Sequence, residues 1–232
     1  MVNEVLNIDC MDYMKDIPDN WFELAIVDPP YGIGADKAQN NAALQRIKAN
    51  GKSKAGRGWQ LYKDTEWDNN KPDKEYFKQL KRVSKNQIIW GGNYFTENLS
   101  PSMGWIVWNK CQREFSLADG ELAWTSFDKA LRIFDFSRGR ALKDANGRIH
   151  PTQKPIKLYK WLLKNYAKPN DKIIDTHIGS GSIRIACHDM GFDLYGCELD
   201  PDYWQAQEER YQRHIQQDEL FTFEGGEINE QN

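Results

Sequence analysis

The 232-residue sequence contains no apolar run near the ~18–20 residues that a membrane-spanning helix needs. Its opening, MVNEVLNIDC, lacks the basic-then-apolar build of a secretion signal, so a cytoplasmic location is expected. Cysteine is scarce: Cys10, Cys111, Cys187 and Cys197 form neither a CxxC pair nor a Cys/His cluster. That gives no basis for a zinc site or a disulfide framework, and buried thiols and no metal are expected. There is no internal repeat. Residues 216–232 hold five acids and no Lys or Arg, which marks an acidic tail expected to be disordered.

The charge that is present is unevenly placed. The formal net charge is −3, but removing the acidic tail leaves about +2. Between residues 32 and 63, Lys37, Arg46, Lys48, Lys52, Lys54, Arg57 and Lys63 face a single acid, Asp36. A second basic run, FDKALRIFDFSRGRALKDANGRIH, carries Lys129, Arg132, Arg138, Arg140, Lys143 and Arg148. Such runs are equally compatible with an ordinary solvated face. The length fits one sizeable α/β domain, taken as residues 1–215. Within it, residues 32–70 lack periodicity and contain several glycines, so they are expected to form a basic mobile loop.

Short β-rich runs alternate with helical stretches, the pattern of a mostly parallel sheet with helices on its faces. Strands are predicted at EVLNID, LAIVD, QIIWGG, WIVWN, ELAWT, KIIDT and DLYGCEL, and helices over 76–83, 157–167, 182–190 and 201–216. Pro201 suits the first turn of the last helix. The tryptophans inside the strands are expected to fill the core, with Asn93 and Tyr94, just past a strand end, as exceptions.

Two stretches carry chemistry. In LAIVDPPYGIG a buried strand runs into Asp28, Pro29, Pro30 and Tyr31. Two prolines remove two backbone donors and fix two φ angles, so the strand must end in a stiff, extended turn. In KIIDTHIGSGSIRIACHDMGFDLYGCELDPDYW a strand, a glycine loop, a helix and a second strand follow in order. Gly179 and Gly181 permit a tight turn, and Glu198 lies 23 positions after Asp175. That is near the ~20-residue spacing at which a strand-end acid meets a ribose in nucleotide-binding folds. The loop is neither GxGxxG nor a P-loop, and taken alone it also fits an ordinary turn.

The ordered set DPPY (28–31), HPTQKP (150–155) and DTHIGSGS (175–182) resembles the amino-methyltransferases of DNA. More narrowly it is similar to their circularly permuted β group, in which DPPY precedes the S-adenosylmethionine loop. NIDC near the start and CELDPDY near the end extend the likeness. The resemblance implies a three-layer, Rossmann-like S-adenosylmethionine-dependent methyltransferase fold with a seven-stranded mixed sheet, circularly permuted. It implies a site-specific or relaxed-specificity enzyme that methylates the exocyclic N6 of adenine in double-stranded DNA after base flipping, because members with Asp at the first motif position mostly act on adenine.

By the same resemblance Asp28, Pro29, Pro30 and Tyr31 are catalytic. Asp9 and Cys10 lie near the cofactor's adenine, and Glu198 takes its ribose. Asp28, Asp175, Gly179, Ser180 and Gly181 line its methionine end, and Thr152 and Lys154 hold its carboxylate. DNA contacts are expected from Lys37, Arg46, Lys52 and Arg57 in the first basic segment, and from Arg138, Arg140 and Lys143 in a short recognition segment, residues 127–149. His177 and Ser182 depart from the family's usual Phe and Thr. Two alternatives remain: methylation of cytosine N4, and a non-catalytic DNA- or cofactor-binding subunit. A homodimer and a separately acting restriction nuclease are the further partners that the family implies.

Overall fold

The computed structural model describes residues 1–34, 68–113, 118–144 and 148–226. The chain forms β1 (Asn3–Asn7), α1 (Cys10–Lys15), β2 (Phe22–Val27), α2 (Lys74–Val83), β3 (Ser84–Trp90) and a 3-10 turn (Gly92–Tyr94). It continues through β4 (Trp105–Asn109), β5 (Gly120–Thr125), β6 (Arg132–Asp135), α3 (Arg138–Asp144) and α4 (Ile156–Tyr166). β7 (Lys172–Asp175), α5 (Ser182–Met190), β8 (Asp193–Glu198) and α6 (Pro201–Gly226) complete it.

The strands join in one sheet of order β1-β8-β7-β2-β3-β5-β4-β6. All neighbours are parallel except those of β5, which runs against both β3 and β4. The sheet has eight strands among the described residues, not the expected seven. The addition is β6, which pairs with β4 at the sheet's edge and whose residues are mostly exposed. A half-solvated edge strand of four residues carries little apolar alternation, so RIFD left no strand signature. β1, the start of the chain, lies in register beside β8, near its end. That closes the ring which the permuted motif order implies.

The central strands alternate between two cores. Leu24, Ile26, Ile88, Trp90 and Ile173 pack with Leu158, Leu162 and Leu163 of α4 and Ile183 and Ala186 of α5. Ala25, Val27, Ile89 and Ile174 face the other way, onto Met14 of α1 and Tyr76, Phe77 and Leu80 of α2. Strands covered on both faces read as unbroken apolar runs, which is why LAIV and QIIW show no polar alternation. Trp90, Trp108 and Trp124 are buried, as expected. The cysteines divide: Cys187 and Cys197 are buried, Cys10 is half-buried and Cys111 is exposed on the surface. The last helix continues to Gly226, past the expected stop at 216, and residues 227–232 lie outside the described residues. Among the described residues no helix is long and apolar enough to cross a membrane.

Arg184 of α5 locks the two chain ends together. Its guanidinium donates to the Asn3 side chain at 2.6 Å and to Gln207 at 3.0 Å, and pairs with Glu208 at 2.5 Å. Arg184→Ala leaves buried Gln207 and the half-buried acceptors Asn3 and Glu208 without this donor, so urea unfolding should show a loss of about 2–3 kcal/mol. A loss below 0.5 kcal/mol, the ordinary range for a surface change, would show that the ends do not depend on it.

Candidate active site

Parallel α/β sheets bind ligands beyond the carboxyl ends of their strands, where neighbouring connections leave in opposite directions. Here that reversal falls between β7 and β2: β7 leads on to β8 on one side, and β2 to β3 on the other. Asp28 and Asp175 sit at these two strand ends, with Asp9 and Glu198 at the ends of β1 and β8. A cavity of about 460 Å³ opens above them.

Asp28 is held on both carboxylate oxygens. Tyr31 donates its hydroxyl to Oδ1 at 2.6 Å, and the Lys154 ammonium is bound to Oδ2. Lys154 also pairs with Glu121 at 3.2 Å, and Glu121 pairs with Lys110 at 2.6 Å. The Lys154 side chain is only 1% exposed, so its charge is tolerable only because carboxylates surround it. Burial pushes the Asp28 carboxyl up, with Lys154 opposing. Burial also works against the charge of Glu121, but Lys154 and Lys110 outweigh it and hold that carboxyl down to about 2.

The Pro-Pro turn is fastened from below. Asp68, itself buried, accepts the backbone N–H groups of Tyr31 and Gly32 at 2.6 and 2.9 Å. Tyr31 stacks on Tyr94 with centroids 5.0 Å apart and planes 17° apart, and meets Phe95 edge-on. Gly91 makes room for this ring: at φ +70°, a Cβ there would stand 2.2 Å from Tyr31 Cε1. Asn93 and Tyr94, the expected exceptions to core packing, are both exposed, and Tyr94 belongs to this aromatic shelf.

The glycine loop closes the opposite wall. Gly179 and Gly181 adopt φ of +51° and +69°. Glu198 accepts the N–H of Gly179 at 2.8 Å and that of Asp200 at 3.0 Å, which fixes its carboxylate against the loop. Arg210, buried in α6, donates to the Ser180 carbonyl at 2.6 Å and the Ser182 hydroxyl at 3.0 Å. His177 lies in the wall, within 3.0 Å of the Thr176 hydroxyl, and burial pushes its imidazole down to about 4 so that it stays neutral.

Of the expected residues, Asp9, Cys10, Asp28, Pro30, Thr152, Lys154, Gly179, Ser180 and Glu198 share this cavity wall. Pro29 is buried and Tyr31 stands beside Asp28. Asp175 and Gly181 lie behind the wall: Asp175 accepts the His177 N–H at 3.0 Å, and Gly181 turns toward Gln207 of α6. Lys154 lines the cavity, where its ammonium also pairs with two carboxylates of the protein. Arg138 and Arg140 open α3, half-buried and exposed respectively, just after the end of β6 on the same edge of the sheet. Lys143 lies in the same helix. Lys37, Arg46, Lys52 and Arg57 lie outside the described residues. With His177, the residues His150, Gln153, Tyr159, Thr176, Ile178, Leu199, Asp200 and Tyr203 complete the cavity, and none of these was among the expected site residues. His150 opens the HPTQKP motif, and Tyr203 follows Glu198 by five positions in CELDPDY, so both carry a signal in the sequence.

An α/β sheet with this order thus places a carboxylate on a rigid Pro-Pro turn opposite a glycine loop across one cavity. The family model for N6/N4 DNA methylases matches residues 103–209. The chain is 25% identical over 260 aligned residues to the type II methyltransferase M.HinfI of Haemophilus influenzae, covering 90% of this chain and 68% of that protein. Its fold matches the crystal structure of the M1.HpyAVI–SAM complex with a TM-score of 0.56 at 18% identity, over 90% of this chain and 98% of the other. It matches the PvuII DNA methyltransferase, described as cytosine-N4-specific, with a TM-score of 0.57 at 12% identity, over 91% and 86%. Residues 103–209 thus resemble the N6/N4 DNA methylases, and the chain is similar over most of its length to type II DNA methyltransferases.

The buried carboxyl behind the wall sets a pH dependence. Burial, with the charges of Asp28 and Glu198 adding, pushes Asp175 up to about 8 despite the His177 N–H. An unfolded aspartate titrates near ~4, so between about 4 and 8 the native state holds a proton that the unfolded chain has lost. Stability therefore falls as pH rises through that window. Urea unfolding between pH 5 and 8 should show this slope in the wild type and a flatter one in Asp175→Asn; equal slopes would remove Asp175 as its source.

Proposed function

We propose that the protein transfers the methyl group of S-adenosylmethionine to the exocyclic N6 of adenine in double-stranded DNA. The observation that carries the reading is the Asp28 carboxylate, fixed by the Pro-Pro turn at the sheet's reversal point and opening on a cavity of ligand size. The residues present fit the cofactor. A sulfonium cation suits a wall carrying Asp9, Asp28 and Glu198. Glu198, already oriented by two backbone N–H groups, retains lone pairs for ribose hydroxyls. When bound, the cofactor supplies an electrophilic methyl group.

An exocyclic amino group is a weak nucleophile because its lone pair is delocalised into the ring. The Asp28 carboxylate and the Pro29 carbonyl accept its two hydrogens and favour a tetrahedral nitrogen with a localised lone pair. The Pro-Pro turn and Asp68 hold these acceptors in place beforehand, so little reorganisation accompanies the reaction. For an amino hydrogen to reach Asp28, Tyr31 or Lys154 must give up part of its hold. The Tyr31–Tyr94 shelf offers a stacking surface for a flipped base, an interaction worth about 1–3 kcal/mol.

Arg138, Arg140 and Lys143 of residues 127–149 are assigned to DNA phosphates, together with the basic segment 32–70, within a single methyltransferase unit of residues 1–215. Cytosine N4 is the second reading, since its amino group also lies beside a ring nitrogen and the PvuII enzyme shares the fold. Asp28, rather than Ser, at the first motif position favours adenine.

Incubation with unmethylated DNA and labelled S-adenosylmethionine, followed by nucleoside mass spectrometry, should yield N6-methyladenine. Asp28→Ala should reduce the rate by about 10²–10³, as expected for removal of a preorganised electrostatic partner. N4-methylcytosine would overturn the base assignment, and product formation unaffected by Asp28→Ala would overturn the assignment of the site.

A further inference from the structure

We infer that Glu121 is a positioning residue for Asp28: from the start of β5 it shares the Lys154 ammonium with Asp28 and so sets how strongly that carboxylate accepts hydrogen bonds from an incoming amino group. The inference rests on the role given to Asp28 above.

The arrangement is a row of alternating charges running from the cavity along the carboxyl edge of the sheet to the end of β4: Asp28, Lys154, Glu121, Lys110. Each oxygen of Glu121 has its own lysine, Oε1 toward Lys110 at 2.6 Å and Oε2 toward Lys154 at 3.2 Å. Glu121 is not on the cavity wall, so it acts on a ligand only through Lys154. Topology brings it there. β5 runs antiparallel to β3 and β4, and its first residues therefore arrive at the edge where the parallel strands end.

A lysine with a single buried carboxylate partner would neutralise Asp28 almost completely and leave a poor acceptor. An ammonium divided between two carboxylates neutralises each only in part, and gives Lys154 a second place to rest when Asp28 takes up a new donor. Asp28 is faced by Tyr31 from its own turn, Lys154 from the segment before α4 and Glu121 from β5. It also lies within electrostatic reach of Asp175 at the end of β7 and Tyr159 of α4. Among these, Lys154 and Tyr31 favour the charged carboxylate, while Glu121 opposes it.

The test reads Asp28 directly. In protein labelled with ¹³C-carboxyl aspartate, the Asp28 resonance is identified by its loss in Asp28→Asn and titrated without substrate. Glu121→Gln gives the whole of Lys154 to Asp28, so the midpoint should move to lower pH by about one unit. Lys110→Met frees Glu121 to draw Lys154 away, so the midpoint should move to higher pH. In turnover, Glu121→Gln should lower kcat by about tenfold and leave S-adenosylmethionine affinity unchanged, with the acid limb of the kcat profile following the titration. If Glu121→Gln fails to fold, Lys110→Met carries the test alone. Midpoints that stay in place, or move the same way in both variants, overturn the inference. A wild-type protein that yields no methylated base counts against the proposed function alone, because the titration needs no turnover.

Discussion

The clamp on Asp28 is the constraint around which the rest of the structure is arranged. A carboxylate placed at the reversal point of a buried sheet is expensive to desolvate, and its cost is offset only by donors on both oxygens. Tyr31 and Lys154 supply them, but each needs a scaffold of its own. Tyr31 requires Gly91, whose missing side chain leaves space for the ring, and Tyr94, which covers the ring's face. Lys154 requires Glu121, and Glu121 requires Lys110. A single acidic residue thereby ties together β2, the β3 turn, the β4–β5 hairpin and the segment leading into α4.

The opposite wall follows the same logic with different groups. Glu198 is oriented by backbone N–H groups of the glycine loop, and that loop is held from behind by Arg210. Both walls place polar groups rigidly before any ligand arrives, as a site that works by preorganised acceptors requires. Arg184 adds a side-chain link: it joins α5 to β1 and α6, beside the parallel pairing of β1 with β8.

Much of the fold was legible because its central strands are buried on both faces, so their sequences are unbroken apolar runs bounded by turn residues. β6 was not legible, since an exposed edge strand carries no such pattern. α1 was hidden as well; its six residues are set by the Asp9 cap, which accepts the N–H of Met11 at 2.7 Å, and by a single buried side chain, Met14. Within the site, residues inside the ordered motifs could be named in advance. Glu121 and Asp68 could not, as each is an ordinary acid in sequence, distant from Asp28 and followed by no distinctive residue.

The sequence by itself determined the class of fold, the rigid turn after β2, the glycine loop and the acid that follows it, because these depend on local backbone demands and on spacing along one chain segment. Tertiary structure alone decided what those groups meet. The sequence marks Lys154 within HPTQKP but not its protein partners, Asp28 and Glu121, because only the antiparallel course of β5 brings a second carboxylate to that edge. Gly181 is legible as a loop glycine, but that a Cβ there would meet Gln207 is decided only by the packing of α6 where the loop turns. Charge pairing and close approach are properties of positions in space, and a linear pattern carries them only when the partners are near one another in the chain.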